Sequence, residues 1–288
     1  MTMIQEAISR GAPSFWTDNI HVRPIVTRRY GGLALEIDVT PGQGCNLDCI
    51  YCEFRAKHPQ LDADLDTLED ELDSLLEVCA SGAIFDEFAE FIDTPEYIRE
   101  FTTIVIGSRG EPTTFEKFEK LIAIVLKLMD RHDIKDQTLV LETNATLLHR
   151  PNIANSVRAI ESRGGEIWCK LDAGSEELFS RIVRAPVPMA RLLANISAAG
   201  RRHPIVIEST FCGLGGSAPS EDEMQRYLDR LQDLMMVGCR IKRVHVGTIA
   251  ESMRNRLTFP LEEETIDRIA AKVRSTGVQV AAFYDGEH

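Results

Sequence analysis

No stretch of this 288-residue chain approaches the roughly 20 consecutive apolar residues that a membrane-spanning helix requires. Met1 to Trp16 has no continuous apolar core of the kind that directs secretion, so a soluble, cytoplasmic protein is the expectation. Low-complexity linkers and compositional breaks are also missing. The chain is therefore read as one domain, with a lead-in over 1–30, a core over 31–250 and a C-terminal helix and edge strand over 251–288. A paired disulfide framework is excluded by number and placement: the seven cysteines are odd in count, most stand alone, and Met1 to Gly44 holds none.

Basic excess is absent, and the formal charge is −13. That charge is local, because residues 61–100 carry 14 acidic residues against one base, Arg99, which leaves the remainder of the chain balanced. Within this acidic segment Leu61, Leu65, Leu68, Leu72, Leu75 and Cys79 recur at spacings of four and three. Such a pattern predicts an amphipathic helix with an apolar stripe, Cys79 in the core and carboxylates in solvent.

What is present in abundance is alternation of strand-like and helix-like runs. Strands are predicted over Leu33 to Thr40, Thr102 to Ser108, Thr138 to Asn144, Ile167 to Asp172, Pro204 to Phe211 and Arg240 to Ile249. Helical patterns fall at 62–79, 115–130, 151–163, 175–199, 221–237 and 261–275, and Val278 to Tyr284 is a further strand or edge piece. Repeated strand and helix imply parallel strands joined by right-handed crossovers. The expected fold is α/β, a partial (βα)6 TIM-type barrel of parallel strands with outer helices. In such barrels the loops at the carboxyl ends of the strands carry the chemistry.

The loop after the first strand reads Cys45-Asn46-Leu47-Asp48-Cys49-Ile50-Tyr51-Cys52. Iron-sulfur clusters are held by cysteine thiolates and a cubane takes four; this loop supplies three, leaving one iron without a protein ligand. Three cysteines with His58 would also suit zinc, although closed zinc sites usually pair two Cys-x2-Cys knuckles and no second knuckle occurs. The loops after the later strands contain Arg109-Gly110-Glu111-Pro112-Thr113-Thr114, Thr143-Asn144, Leu171-Asp172-Ala173-Gly174, Glu208-Ser209-Thr210 and His245 to Glu251. Each has a plain alternative. Asp172 also suits capping of the next helix and Asn144 capping of its own loop, Glu111-Pro112 suits helix entry, and Cys169, Cys212 and Cys239 suit the core. His245 is a candidate proton donor pointing into the barrel, or a satisfied core histidine.

Together with Thr27-Arg28-Arg29-Tyr30, these loops resemble the radical S-adenosylmethionine (SAM) superfamily, in its branch of iron-sulfur oxidoreductases related to the tRNA wybutosine synthases. The likeness runs over about residues 23–260 and keeps the motifs in order. It implies a [4Fe-4S] cluster on Cys45, Cys49 and Cys52, SAM on the open iron, and an enzyme that makes a 5′-deoxyadenosyl radical. It also implies that Gly110 and Glu111 receive the methionine amino group, that Asn144, Asp172 and Thr210 make polar contacts to SAM, and that Tyr51 packs near adenine. An electron donor such as flavodoxin or ferredoxin is implied as well.

The chain departs from that branch in ways that bear on the reaction. Wybutosine-forming enzymes carry a second cysteine set, and Met1 to Gly44 offers none; an Arg-Pro-Pro-like segment is replaced by Thr248-Ile249-Ala250-Glu251-Ser252. A single cluster is therefore expected, without cobalamin. Arg55, Lys57, Arg109, Arg181, Arg184, Arg254 and Arg256 come after predicted strands. Guanidinium groups bind carboxylate and phosphate in a forked geometry, so an anionic small or medium metabolite is the leading substrate class, with Arg109, Arg184 and Arg254 as candidate contacts. Pairing of these bases with helix carboxylates is the alternative. A macromolecular target, either a tRNA base or a glycyl-radical-type protein, and a non-catalytic electron-transfer role are the other readings.

Overall fold

The computed structural model describes residues 14–39, 45–52, 63–107 and 109–284. Thr40, Arg55, Lys57, His58, Leu61 and Ser108, named above, lie outside these residues.

The chain enters through a strand that its composition does not advertise. β1 (Val22–Thr27) pairs antiparallel with β2 (Gly32–Ile37) in register from Val22 opposite Ile37 to Thr27 opposite Gly32. The segment expected to be only a lead-in thus begins the sheet. Two helices come next, α1 (Leu65–Ala80) and α2 (Ala83–Glu87). From there strand and helix alternate: β3 (Phe101–Ile106), α3 (Phe118–Arg131), β4 (Thr138–Thr143), α4 (Pro151–Ser162) and β5 (Glu166–Lys170). After β5 come α5 (Glu176–Ile182), α6 (Met189–Arg202), β6 (Ile205–Phe211), the short β7 (Gly213–Leu214), α7 (Glu221–Met236) and β8 (Ile241–Thr248). The last elements are β9 (Thr258–Phe259), α8 (Glu263–Arg274) and β10 (Val280–Phe283).

The main sheet has eight strands in the order β1-β2-β3-β4-β5-β6-β8-β10, all parallel except β1, and it curls into an open half-barrel with helices outside. β10 pairs in parallel with β8, so the C-terminal run is a seventh parallel strand beyond the six expected. β7 and β9 form a separate two-stranded pair.

Side chains alternate across a strand, and here the alternation separates two environments. Leu33, Leu35, Ile37, Ile104, Ile106, Leu139, Leu141, Ile167, Cys169, Ile205 and Ile207 join the large core under the helices. Their neighbours Ala34, Val105, Val140, Trp168 and Val206 form a second, smaller apolar cluster with Tyr30 inside the curl. Above this plug the same inward positions become polar: Glu36, Glu142, Lys170, Glu208 and Thr210.

The helical pattern at 175–199 resolves into two helices. Arg184 adopts φ +50° between them, and Pro186 and Pro188 cannot donate the backbone bonds that a continuous helix needs. The acidic face of α1 is also less solvated than its composition suggests. Glu69 pairs with Lys127 (2.6 Å), Asp73 with Arg131 (2.8 Å) and His132 (2.6 Å), all of these bases being on or just after α3. Glu71 accepts the backbone N–H groups of Ile20, His21 and Val22, anchoring the start of β1.

Gly174 shows why the Asp-Ala-Gly strand end needs its glycine. A Cβ there would stand 2.1 Å from the backbone N of Tyr227 and 2.4 Å from the carbonyl carbon of Arg226. α7 therefore packs directly on this peptide. Replacing Gly174 by Ala is expected to lower the unfolding free energy by about 1–3 kcal/mol, the usual cost of overpacking, read by urea denaturation. An unchanged midpoint would show that α7 can withdraw without cost.

Candidate functional site

The loops at the carboxyl ends of the parallel strands surround a cavity of about 300 Å³. Cys45, Cys49, Tyr51 and Cys52 line one side; Arg109, Gly110, Thr143, Asn144 and Thr210 continue around it; Ile249, Ala250 and Met253 form the far rim. Arg29, Glu36, Glu142, Lys170 and Glu208 make the floor and lower wall. Residues spread over more than 200 positions of the sequence therefore meet because each ends or succeeds a neighbouring strand.

The three cysteines are free, with Cys49 buried and Cys45 and Cys52 partly accessible. Burial pushes the Cys45 thiol up to about 11 and the Cys49 thiol to about 12. Among the described residues no three His, Cys, Asp or Glu side chains gather tightly enough for one metal ion. Three cysteines lining one cavity suit an iron-sulfur cluster, in which each thiolate takes its own iron. The loop that carries them is fixed from two sides, since Ile50 N–H donates to the carbonyl of Ile182 (2.9 Å) and Asn255 Nδ2 donates to the carbonyl of Ile50 (3.1 Å).

Glu111 is fully buried and its carboxylate turns into the protein. It accepts the Thr113 N–H and hydroxyl, the Thr143 hydroxyl (2.7 Å) and the Asn144 N–H (2.6 Å). Burial holds its carboxyl above the ordinary carboxylate range, and these four bonds act in the opposite direction. Glu111 thus caps the turn Pro112–Thr114, while Gly110, at φ +81°, reaches the cavity. The helix-entry alternative describes the Glu111 side chain.

Asp172 is likewise buried beneath the cavity. It accepts the Tyr51 hydroxyl and the Thr210 N–H (2.9 Å), and it pairs with Lys170 at 3.3 Å. It does not cap α5, whose first turn is capped by Ser175 accepting from Leu178 N–H. Burial opposes the charge on Lys170, but the negative groups around it, Asp172 foremost and then Cys49, Glu208 and Cys52, together outweigh burial and keep the ammonium more firmly protonated than usual. Tyr51 carries that ammonium 5.3 Å from its ring centroid.

The arginines are dispersed. Arg109 lines the cavity with its Nε 3.6 Å from Glu36. Arg184 pairs with Asp48 at 3.3 Å and Arg254 pairs with Glu251, each on the surface and neither lining the cavity. Both arginines thus pair with carboxylates, Arg254 with one that opens the short 3-10 helix Glu251–Met253 and Arg184 with one in the cysteine loop.

His245 does not reach the cavity either. It lies in the lower barrel, 4.4 Å from Trp168 and 5.1 Å from Phe283 between ring centroids, and its Nε2 accepts from Arg243 Nε (2.9 Å). Its Nδ1 therefore carries the hydrogen, and this atom has no hydrogen-bond partner among the described residues. Burial, reinforced by Arg243 and Arg29 against the opposing pull of Glu208 and Glu166, lowers its pKa to about 3.

Spacing alone does not single out Glu36, Glu142, Lys170 and Glu208. The signal is a charge inside an otherwise apolar strand, as in Leu-Val-Leu-Glu-Thr or Ile-Val-Ile-Glu-Ser. Arg29 reaches them from the β1–β2 turn: its guanidinium contacts Glu142 (2.8 Å) and Glu208, while Tyr30 hydroxyl donates to Glu142 (2.7 Å).

The arrangement is that of an open parallel barrel with a three-cysteine loop at its mouth. Over residues 39–231 the sequence matches the Radical SAM superfamily, two thirds of its length, and the chain belongs to that superfamily. Enzymes of this class use a [4Fe-4S] cluster and SAM. The fold is shared with TYW1, solved with a lysine-pyruvate adduct bound (11% identical, TM-score 0.52, covering 96% of this chain and 82% of that one). It is shared too with a radical SAM methyltransferase from Sphaerobacter thermophilus (13% identical, TM-score 0.57, 88% of this chain and 66% of that one). Among curated sequences, the chain is 26% identical over 159 residues to "GTPase Obg" of Brachyspira hyodysenteriae. The match takes 55% of this chain and 20% of that protein, so the chain spans about a fifth of its curated relative.

The environment of His245 has a measurable consequence. A pKa held near 3 in the fold against 6.5 for an exposed imidazole means that its full contribution is present above pH 6.5 and is lost as pH falls towards 3. Between pH 6.5 and 4 the wild type is expected to lose about 2–3 kcal/mol more than His245→Gln, which keeps an acceptor for Arg243 but does not titrate. Parallel denaturation curves across that range would refute the assignment.

Proposed function

We propose that the chain is a radical SAM enzyme in which Cys45, Cys49 and Cys52 hold a single [4Fe-4S] cluster and the space beside them receives SAM. The observation that carries this reading is convergence: the three cysteines, Gly110, Asn144 and Thr210, from four strand ends, line one cavity. When bound, the cluster supplies an electron to SAM, releasing methionine and a 5′-deoxyadenosyl radical that takes a hydrogen atom from substrate.

The residues of the chain position and shield. Gly110 has no side chain and lets a ligand approach the backbone closely. Glu111 acts through Asn144, whose N–H it accepts, so its part in the amino-group pocket is to fix the strand ends on either side. Asp172, from beneath the cavity, holds the Tyr51 hydroxyl and the Thr210 N–H, so Tyr51 and Thr210 form a braced wall on which the nucleoside would rest. Ile249, Ala250 and Met253 cover the opposite side with apolar surface that excludes water from a reactive radical.

The substrate in this reading is an anionic small or medium metabolite. Arg109, paired with Glu36, and Lys170, paired with Asp172, reach the cavity from its walls, whereas the pairs made by Arg184 and Arg254 lie outside it. Electrons would come from a small carrier such as flavodoxin or ferredoxin.

Anaerobic reconstitution with iron and sulfide, with dithionite and SAM then added, is expected to yield 5′-deoxyadenosine. Cys45→Ala, Cys49→Ala and Cys52→Ala should each reduce that yield at least a hundredfold. Full iron loading without any 5′-deoxyadenosine would count against radical chemistry. Arg109→Gln should weaken binding of carboxylated or phosphorylated candidates about tenfold relative to neutral analogues.

A further inference from the structure

Asn144 lines the cavity, but its carboxamide is committed to the cysteine loop. Its Oδ1 accepts the Thr146 N–H (3.1 Å) and the Thr146 hydroxyl (2.7 Å), which fixes the orientation of the amide without ambiguity. The Nδ2 group then has two hydrogens to place. One goes to Asn46 Oδ1 (2.8 Å), and the other is aimed at Cys45 Sγ (3.8 Å). Asn46 closes the ring by donating its own Nδ2 to the Thr146 hydroxyl oxygen (2.9 Å). The Thr146 hydroxyl donates to Asn144 and accepts from Asn46, so the direction of each bond in the ring is fixed.

The ring is braced from behind. Ala145 is a buried non-glycine residue at φ +61°, a conformation that persists only where surrounding contacts impose it. Asn195, buried on α6, donates Nδ2 to the carbonyls of both Ala145 (2.8 Å) and Thr146 (3.0 Å), while Glu111 holds the Asn144 N–H (2.6 Å). The turn 143–146 is thus over-determined, and it rigidly presents an N–H directed at one sulfur. Cys45 Sγ also accepts the Leu47 N–H (3.4 Å).

The geometry points to Asn144 as a positioning residue for Cys45, one that sets the reduction potential of the cluster by hydrogen bonding to a ligand sulfur. It rests on the reading that Cys45 is a cluster ligand. Donors to cysteine sulfur draw charge from it and favour the reduced, more negative cluster. A rigid donor serves better than a mobile one, because the bond need not be reorganised when the electron arrives. Asn144 in this account touches the protein ligand, and its contribution is separable from any contact with SAM.

The test uses the full chain, reconstituted anaerobically, with iron and sulfide counted and the midpoint potential read by titration monitored with electron paramagnetic resonance, without SAM. Asn144→Asp keeps the shape but turns an oxygen towards the sulfur, and Asn144→Leu removes the donor. Both are expected to retain wild-type iron and to shift the reduced fraction at fixed potential about tenfold downward, equal to about 59 mV for one electron. Asn46→Ala, which keeps the donor and loses its anchor, should shift it less. Wild-type potentials in both Asn144 variants at full iron content would overturn the proposal. A measurement on the unmutated protein covers the case of variants that fail to load: with nitrogen-15 in the asparagine side-chain amides, the reduced cluster should show hyperfine coupling to that nitrogen, and its absence would overturn the proposal equally. Cys45→Ala tests the underlying reading separately, since full iron retention there would remove Cys45 as a ligand whatever Asn144 does.

Discussion

The barrel closes around one buried guanidinium. Arg29 enters from the turn between β1 and β2 and places its charge between Glu142 of β4 and Glu208 of β6, against the rings of Tyr30 and Trp168 at 5.3 and 5.2 Å. Two carboxylates that close inside a protein would repel each other and resist ionisation, and Glu142 is in fact held above the usual carboxylate range by burial and by Glu208. The guanidinium pulls against both effects without cancelling them. Breaking such a pair typically costs about 3–5 kcal/mol because the partner charges stay buried. The N-terminal hairpin is for this reason part of the barrel and not an appendage: it supplies the cation that lets the inner face of the parallel strands be polar at the level of the cavity.

That polarity divides the barrel by height. Below Arg29, Trp168 and the inward-facing Ala34, Val105, Val140 and Val206 fill the curl with apolar volume. Arg243 and Lys242 meet Glu166 at 2.6 Å at the lower end, where burial is outweighed by these bonds and the Glu166 carboxyl falls to about 2. At the upper end the floor gives way to the cavity. The helices contribute little to the site directly; they fix strand spacing, and the strand ends deliver the residues.

Much of this is legible in the sequence, and the parts that are not share a cause. Parallel strands buried on both faces are short apolar runs separated by helical periodicity, so six of them stand out, with ends displaced by at most three residues. β1 escapes notice because Val-Arg-Pro-Ile-Val-Thr contains a proline and an arginine, residues that an edge strand tolerates and a central strand does not. The break between α5 and α6 is hidden by a continuous apolar period that two prolines interrupt. In the site, spacing singles out Cys45, Cys49 and Cys52, and strand-end position with the family resemblance adds Gly110, Asn144 and Thr210, all of which line one cavity, but none of this says which way a side chain turns. Glu111 turns inward, His245 sits a layer too low, and Arg184 and Arg254 face solvent. Orientation of this kind depends on which partners three-dimensional packing supplies, and those partners are far away in sequence.

The peptide of Ile50 is gripped from α5 on one side and from Asn255 on the other. It behaves as a crosspiece joining two walls of the mouth. Since Asn255 also accepts from the backbone N–H of Leu257 (2.8 Å) and Thr258 (3.1 Å), the loop that carries Cys49 is tied through one side chain to the segment that follows the Met253 rim. The separation between the cysteine loop and that segment is then held by main-chain groups meeting at the Asn255 carboxamide, so Asn255 is, among the described residues, the one rim side chain on which the spacing of the two walls depends.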